Sequence, residues 1–147
     1  MIGRIGDRQI FWGAIGLAAL LRILAALPFT VGWFDEIWQY LEPAWHLVDG
    51  PWVQTWDYRS GIRSWLIPEL LALPMGAGHA LSPDTTFHLT LVRLTLAALS
   101  LVVVGTATSL GLRLSRLHGA LAGFIAAIWF ELLFFAPRAL SESIALA

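Results

Sequence analysis

Asp35, Glu36 and Glu42 place three carboxylates within eight residues, with Gln39 between them. A carboxylate within hydrogen-bond reach of a hydroxyl can take its proton, so the cluster suits general-base chemistry. The same residues have a structural reading, because acids at the start of a helix offset its dipole and stay solvated. Arg59 and Arg63 follow in the same stretch. Their forked guanidinium donors match the oxygens of a phosphate, on a substrate or on a lipid headgroup. Asp57 and Glu69 read as loop polarity or local pairing. His46, on a polar helix face, reads as a solvated or supporting group. His79, His88 and His118 are scattered, and no His/Asp/Glu spacing forms a metal site. The chain has no cysteine, which excludes disulfides and thiolate metal sites.

The elements that must position these groups are apolar. Hydrophobic residues make up 58% of the chain and charged residues 13%, with a mean hydropathy of +0.73. That composition predicts an integral membrane protein. All nine basic residues are arginine, and the net charge is −1. No basic patch is present to neutralise phosphates along a strand, so nucleic acid is excluded as a partner. Arg4 and Arg8 mimic the positive start of a signal peptide. The apolar run over 10–31 exceeds the ~7–15 residues of such a signal, however, and no small-x-small cleavage site follows. It reads as a retained helix.

Three segments reach the roughly 20 residues needed to cross a bilayer: 10–32, 87–112 and 118–136. With three spans, Arg4, Arg8, Arg113 and Arg116 share one side, which the positive-inside rule makes cytoplasmic. A fourth apolar stretch, 65–81, carries Pro68, Glu69 and Pro74. Counting it as a span would put Arg113 and Arg116 outside, so it reads as an interfacial or re-entrant helix. The external loop is then 33–86. It holds Trp33, Trp38, Trp45, Trp52, Trp56 and Trp65 of the chain's eight tryptophans, which predicts a loop lying along the outer membrane surface. Asp35, Gln39, Glu42, His46 and Asp49 form one polar stripe at helical spacing. Ile37, Trp38, Leu41, Ala44, Trp45 and Val48 fill the opposite side, as in a helix lying in the interface. Pro43 removes a backbone donor and predicts a kink. Arg22 and Glu131 sit at similar depth in their spans, which predicts a pair or a shared interior face. Arg93, near the outer end of its span, is predicted to snorkel to the surface.

Phe34-Asp35-Glu36-Ile37-Trp38-Gln39-Tyr40-Leu41-Glu42-Pro43-Ala44, followed by Thr55-Trp56-Asp57-Tyr58-Arg59-Ser60-Gly61-Ile62-Arg63-Ser64-Trp65-Leu66, resembles the lipid-phosphate-mannose-dependent α-mannosyltransferases. These are multi-span GT-C enzymes of GPI-anchor and N-glycan precursor assembly. Their first lumenal loop carries His-Pro-Asp-Glu, Gln-x-x-Glu, Thr-Trp-Glu and a Gly-Ile/Leu-Arg-Ser segment. Ala136-Pro137-Arg138-Ala139-Leu140-Ser141 is similar to the family's Pro-Arg-Thr element. The chain departs from the pattern in two places. Trp33-Phe34 stands where the family has His-Pro, and Trp45 stands where it has histidine, with His46 adjacent.

The resemblance implies inverting transfer of a sugar, expected to be mannose, from a polyprenyl or dolichyl phosphate donor. The acceptor is the hydroxyl of a glycan or glycolipid, and no further cofactor or metal is implied. Asp35 would be the base. Glu36, Gln39 and Glu42 would bind sugar hydroxyls or support Asp35, while Arg59, Arg63 and Arg138 would hold the phosphate. The expected fold is all-α and membrane-integral: three spans plus interfacial helices in the external loop, over 1–147 without a soluble domain. It corresponds to the N-terminal part of a GT-C glycosyltransferase. A fourth helix begins near Ser141, so the chain reads as an incomplete, inactive portion of such an enzyme. The expected location is the inner membrane of a bacterium or the endoplasmic reticulum of a eukaryote, with the N-terminus cytoplasmic. The alternative is a non-catalytic membrane subunit whose loop binds lipid headgroups or serves as a scaffold.

Overall fold

A computed structural model describes residues 6–28 and 34–140. Arg4, Trp33 and the predicted helix start near Ser141 lie outside the described residues. The described chain is helical. Helix α1 (Asp7–Ala26) opens with Gln9 reaching back to accept the Gly6 N–H at 2.8 Å. It ends just before Pro28, short of the predicted 10–32. The predicted external loop contains α2 (Phe34–Glu36), a π-helical turn (Ile37–Leu41), α3 (Glu42–Val48), the short α4 (Trp56–Arg59) and α5 (Leu66–Leu81). Then come α6 (Thr85–Leu99) and α7 (Leu101–Leu114), joined at Ser100 into one apolar rod of 30 residues. Asp84 caps the rod by accepting the Thr86 N–H at 3.0 Å. Helices α8 (Arg116–Ile128) and α9 (Phe130–Phe135) complete it.

Asp7–Ala26 and Thr85–Leu114 are long and apolar enough to cross a membrane. The predicted third span over 118–136 is divided. At Trp129 the backbone turns to ψ 123°, which ends α8 and starts α9. The 13 residues of α8 rise only about 20 Å, less than the ~30 Å of a hydrocarbon core.

Helix α1 packs on α6, α7 and α8, while α5 packs on α6 and α3. This gives two cores. One gathers Ala18, Val104, Ala126 and Ala127 within the α1–α7–α8 group. The other gathers Tyr40, Leu41, Ala44, Leu71, Met75 and Val92 beneath the loop helices. An Arg116–Asp7 ion pair of 2.7 Å sets the α7–α8 turn beside the start of α1.

Two buried arginines join these groups; for Arg22 the ion-pair branch of the expectation fails, and Arg93 differs from expectation. Arg22, 1% exposed, forms no ion pair with Glu131, although both line one small cavity. Its Nε donates to Ser100 Oγ at 2.8 Å. Its terminal nitrogens donate to Ala127 O at 3.3 Å and Ala126 O at 3.4 Å. The break at Trp129 takes from those carbonyls their usual partners four residues on, and the guanidinium supplies replacements. Glu131 stays exposed. Arg93 does not snorkel: it is buried and donates to Pro28 O at 2.6 Å and Ala25 O at 3.3 Å. Carbonyls at a helix C-terminus lack internal donors, so a nearby arginine is drawn inward to cap them.

Candidate active site

Helices α2 and α3 and the π turn form one continuous rod over 34–48, where the polar and apolar spacing predicts a helix. The predicted kink takes a specific form. Pro43 has no N–H to offer the carbonyl of Gln39 four residues earlier. Within the π turn, the Glu42 N–H bonds to Ile37 O, five residues back. The freed Gln39 carbonyl accepts the Tyr58 hydroxyl at 2.7 Å. A proline in one helix is thus satisfied by a tyrosine from the following loop.

The acidic pair at the head of this rod divides. Asp35 is exposed, and its Oδ1 accepts Gln39 Nε2 at 3.0 Å. Glu36 is 2% exposed and turns inward. It accepts Arg138 Nη1 at 3.2 Å on one oxygen and the Ala139 N–H at 3.2 Å on the other. Arg138 is buried too, and its guanidinium lies 4.8 Å from the centre of the Phe134 ring. The sequence assigned Glu36 to sugar hydroxyls or to supporting Asp35, and Arg138 to phosphate. In the fold the two hold each other instead.

Arg63 is similarly engaged. Gly61, with φ +70°, supplies the left-handed turn that brings Arg63 back over α4. Its Nε meets Asp57 Oδ2 at 3.2 Å, and its Nη1 donates to the Tyr40 hydroxyl at 3.1 Å. Asp57 also accepts the Thr55 hydroxyl and the Tyr58 N–H. The Thr55 hydroxyl holds the Asp57 carboxyl below its ordinary value; burial opposes this, and the Tyr58 N–H and Arg63 reinforce it. Burial pushes the Tyr58 phenol up to about 12, with Arg63 pulling the other way. Arg59 is exposed and donates to Gln54 O at 3.4 Å. Asp35, Glu36 and Arg63 therefore do not converge on one point. Asp57, Tyr40 and Tyr58, given no chemical role from sequence, fasten the loop to the helix.

The tryptophans also depart from a purely interfacial role. Trp52 stacks on His46 and packs edgewise on Tyr58 and Trp65, while Trp56 stays open at 72% exposure. Trp45 packs against two histidines distant from it in sequence, His79 at 5.0 Å and His88 at 4.9 Å between ring centres, and those two rings lie 5.7 Å from each other. His79 Nε2 is 3.4 Å from Asp49. Glu42, Trp45 and His88, with Ile37, Leu41 and Met75, line a cleft of about 370 Å³ between the loop helix, α5 and α6. His88 is 2% exposed, and its Nδ1 has no hydrogen-bond partner among the described residues. Sequence spacing gave no sign of this grouping, because it depends on how α5 and α6 pack.

Residues 14–147 match the Alg9-like mannosyltransferase family. The chain belongs to that family. GPI mannosyltransferase 3 of Trypanosoma brucei brucei is 36% identical over 94 residues, which is 63% of this chain and 17% of the relative. GPI mannosyltransferase 3 of Saccharomyces cerevisiae is 34% identical over 70 residues, covering 48% of this chain and 11% of that protein. Mannosyltransferase APTG1 of Arabidopsis thaliana is 38% identical over 71 residues, covering 48% and 12%. The matched region spans less than a fifth of the length of these relatives. No solved structure matches the chain. Membership in the Alg9-like family, together with two helices apolar and long enough to cross a bilayer, makes this a helical membrane protein.

Proposed function

We propose that this chain carries the acceptor-activating loop of a membrane mannosyltransferase. The enzyme moves mannose from a polyprenyl or dolichyl phosphate to a hydroxyl of a glycan or glycolipid, with inversion. Relatives named GPI mannosyltransferase favour a glycolipid acceptor. The observation that carries the reading is the exposed Asp35 carboxylate, held by Gln39 at 3.0 Å beside a Glu36 already committed to Arg138. Family membership favours this over a headgroup-binding scaffold.

In the reaction, Asp35 accepts the proton of the acceptor hydroxyl as its oxygen attacks C1 of the sugar. The C1–O bond to phosphate breaks on the opposite face, and the phosphate leaves with the bonding electrons. Gln39 and Glu42, on the stripe with Asp35, hold sugar hydroxyls. Arg59 and the Nη2 of Arg63 face the departing phosphate, where forked donors stabilise the developing charge. Glu36 and Arg138 position Asp35 by fixing the start of the rod against the segment after α9. We place the start of α1 and the α7–α8 turn on the cytoplasmic side, since Arg8, Arg113 and Arg116 gather at that end, with α8 and α9 completing a third crossing.

The test supplies membranes from cells expressing the protein with radiolabelled polyprenyl-phosphate mannose. Label is expected in extracted lipid-linked glycan. Membranes that move no label above the vector control would overturn the proposal.

A further inference from the structure

We propose that the cleft lined by Glu42 and His88 is a subsite for a hexose ring carried on an apolar stem. The idea rests on the transferase reading and deepens it. Its volume of about 370 Å³ falls within the ~300–1,000 Å³ of small-molecule sites. The polar groups are few and face one space: the Glu42 carboxylate, the Thr85 hydroxyl and the buried His88 imidazole. No hydrogen bond to a described residue commits the His88 imidazole, although its Nδ1 is shut off from the cleft as from solvent.

The lining also selects among ligands. Among the described residues its only formal charge is the negative Glu42, and no arginine borders it. A phosphate would be repelled there, whereas hydroxyls can donate to the carboxylate and either donate to or accept from the imidazole. Trp45 offers an aromatic wall to the C–H face of a sugar ring. Leu41 and Met75, nearly fully buried, offer apolar surface to a stem. Glu42 lies on the same helix stripe as Asp35 and Gln39, about two turns beyond Asp35. The cleft thus belongs to the sugar end of a glycolipid, and the phosphate belongs with the arginines of the loop.

The experiment places the chain in lipid nanodiscs with an octyl α-mannoside carrying a diazirine on the octyl chain. Irradiation and peptide mapping then locate the label. We expect saturable labelling of the α5 and α6 segments that wall the cleft, competed by plain octyl α-mannoside. Glu42→Gln should weaken competition by about tenfold, the worth of one charge-assisted hydrogen bond, and His88→Asn by about threefold, the worth of a neutral one. Glu42 is only half-buried, so Glu42→Gln decides the matter if His88→Asn fails to fold. Equal labelling of both variants and wild type overturns the subsite. So does equal, equally competed labelling by a diazirine octanol that lacks the sugar. Binding needs no turnover, so saturable labelling without mannosyl transfer would defeat only the proposed reaction. Transfer without cleft labelling would defeat only the subsite.

Discussion

Arg138 Nη1 and Glu36 Oε2 meet at 3.2 Å in a buried ion pair that joins the head of the loop helix to the segment after α9. Two charges removed from water are held there in part by one another. Breaking such a buried pair costs about 3–5 kcal/mol. Glu36→Ala and Arg138→Ala should each lower thermal stability by that order. Glu36→Gln combined with Arg138→Met should recover part of the loss. Tryptophan-detected melting in detergent measures this, and strictly additive losses in the double variant would contradict the pairing.

Arg22 is satisfied by oxygens where two helices break. Arg22→Ala leaves the Ala126 and Ala127 carbonyls unbonded, at roughly 1–3 kcal/mol for each buried group. Arg22→Lys, with one nitrogen in place of a fork, should restore only part. Melting temperatures should rank wild type above lysine above alanine. An alanine variant as stable as wild type would show that the carbonyls find other donors.

Asp57 gives the loop a defined acid limit. Its folded value lies below the ordinary one, so the unfolded chain binds the proton more readily. The stabilisation is complete above the unfolded value of about 3.9 and is lost as pH falls through the lower folded value. Trp52 and Trp65 emission should therefore stay constant from neutral pH to about pH 4 and shift only in stronger acid. Asp57→Asn should remove that acid step. A shift beginning near neutral pH would contradict the assignment.

Gly78 lets α5 and α6 approach beside the cleft. A Cβ placed there would lie 2.6 Å from His88 Cβ and 2.7 Å from its Cα. Gly78→Ala should cost about 1–3 kcal/mol through forced separation of the helices. It should also weaken competition by octyl α-mannoside in the labelling experiment. Unchanged melting and unchanged labelling would mean that the helices are free to slide.

The loop helix was legible because its polar and apolar residues alternate at helical spacing, and the ordered motifs around Asp35 and Arg63 pointed to the family. The rest depended on packing. Pro43 announced a kink, but only the position of Tyr58 turns the lost bond into a satisfied carbonyl. The polar stripe already took in Asp35 and not Glu36, but only the fold shows Glu36 buried against Arg138 and Asp35 open. Arg22 was assigned to a carboxylate or a shared interior face, and Arg93 to the surface, because backbone carbonyls carry no sequence signature. Trp129 ends α8 without a proline or glycine to announce it. His79 and His88 meet Trp45 only through the packing of α5 on α6.

The central claim is a division of labour between neighbouring acids, Asp35 as base and Glu36 as anchor. Mannosyl transfer by membranes expressing Asp35→Asn and Glu36→Gln, read together with each variant's melting temperature, tests it most directly. The predicted result is that Asp35→Asn abolishes transfer at wild-type stability, while Glu36→Gln loses stability and retains transfer at a temperature where it is folded. Wild-type turnover by Asp35→Asn would contradict it.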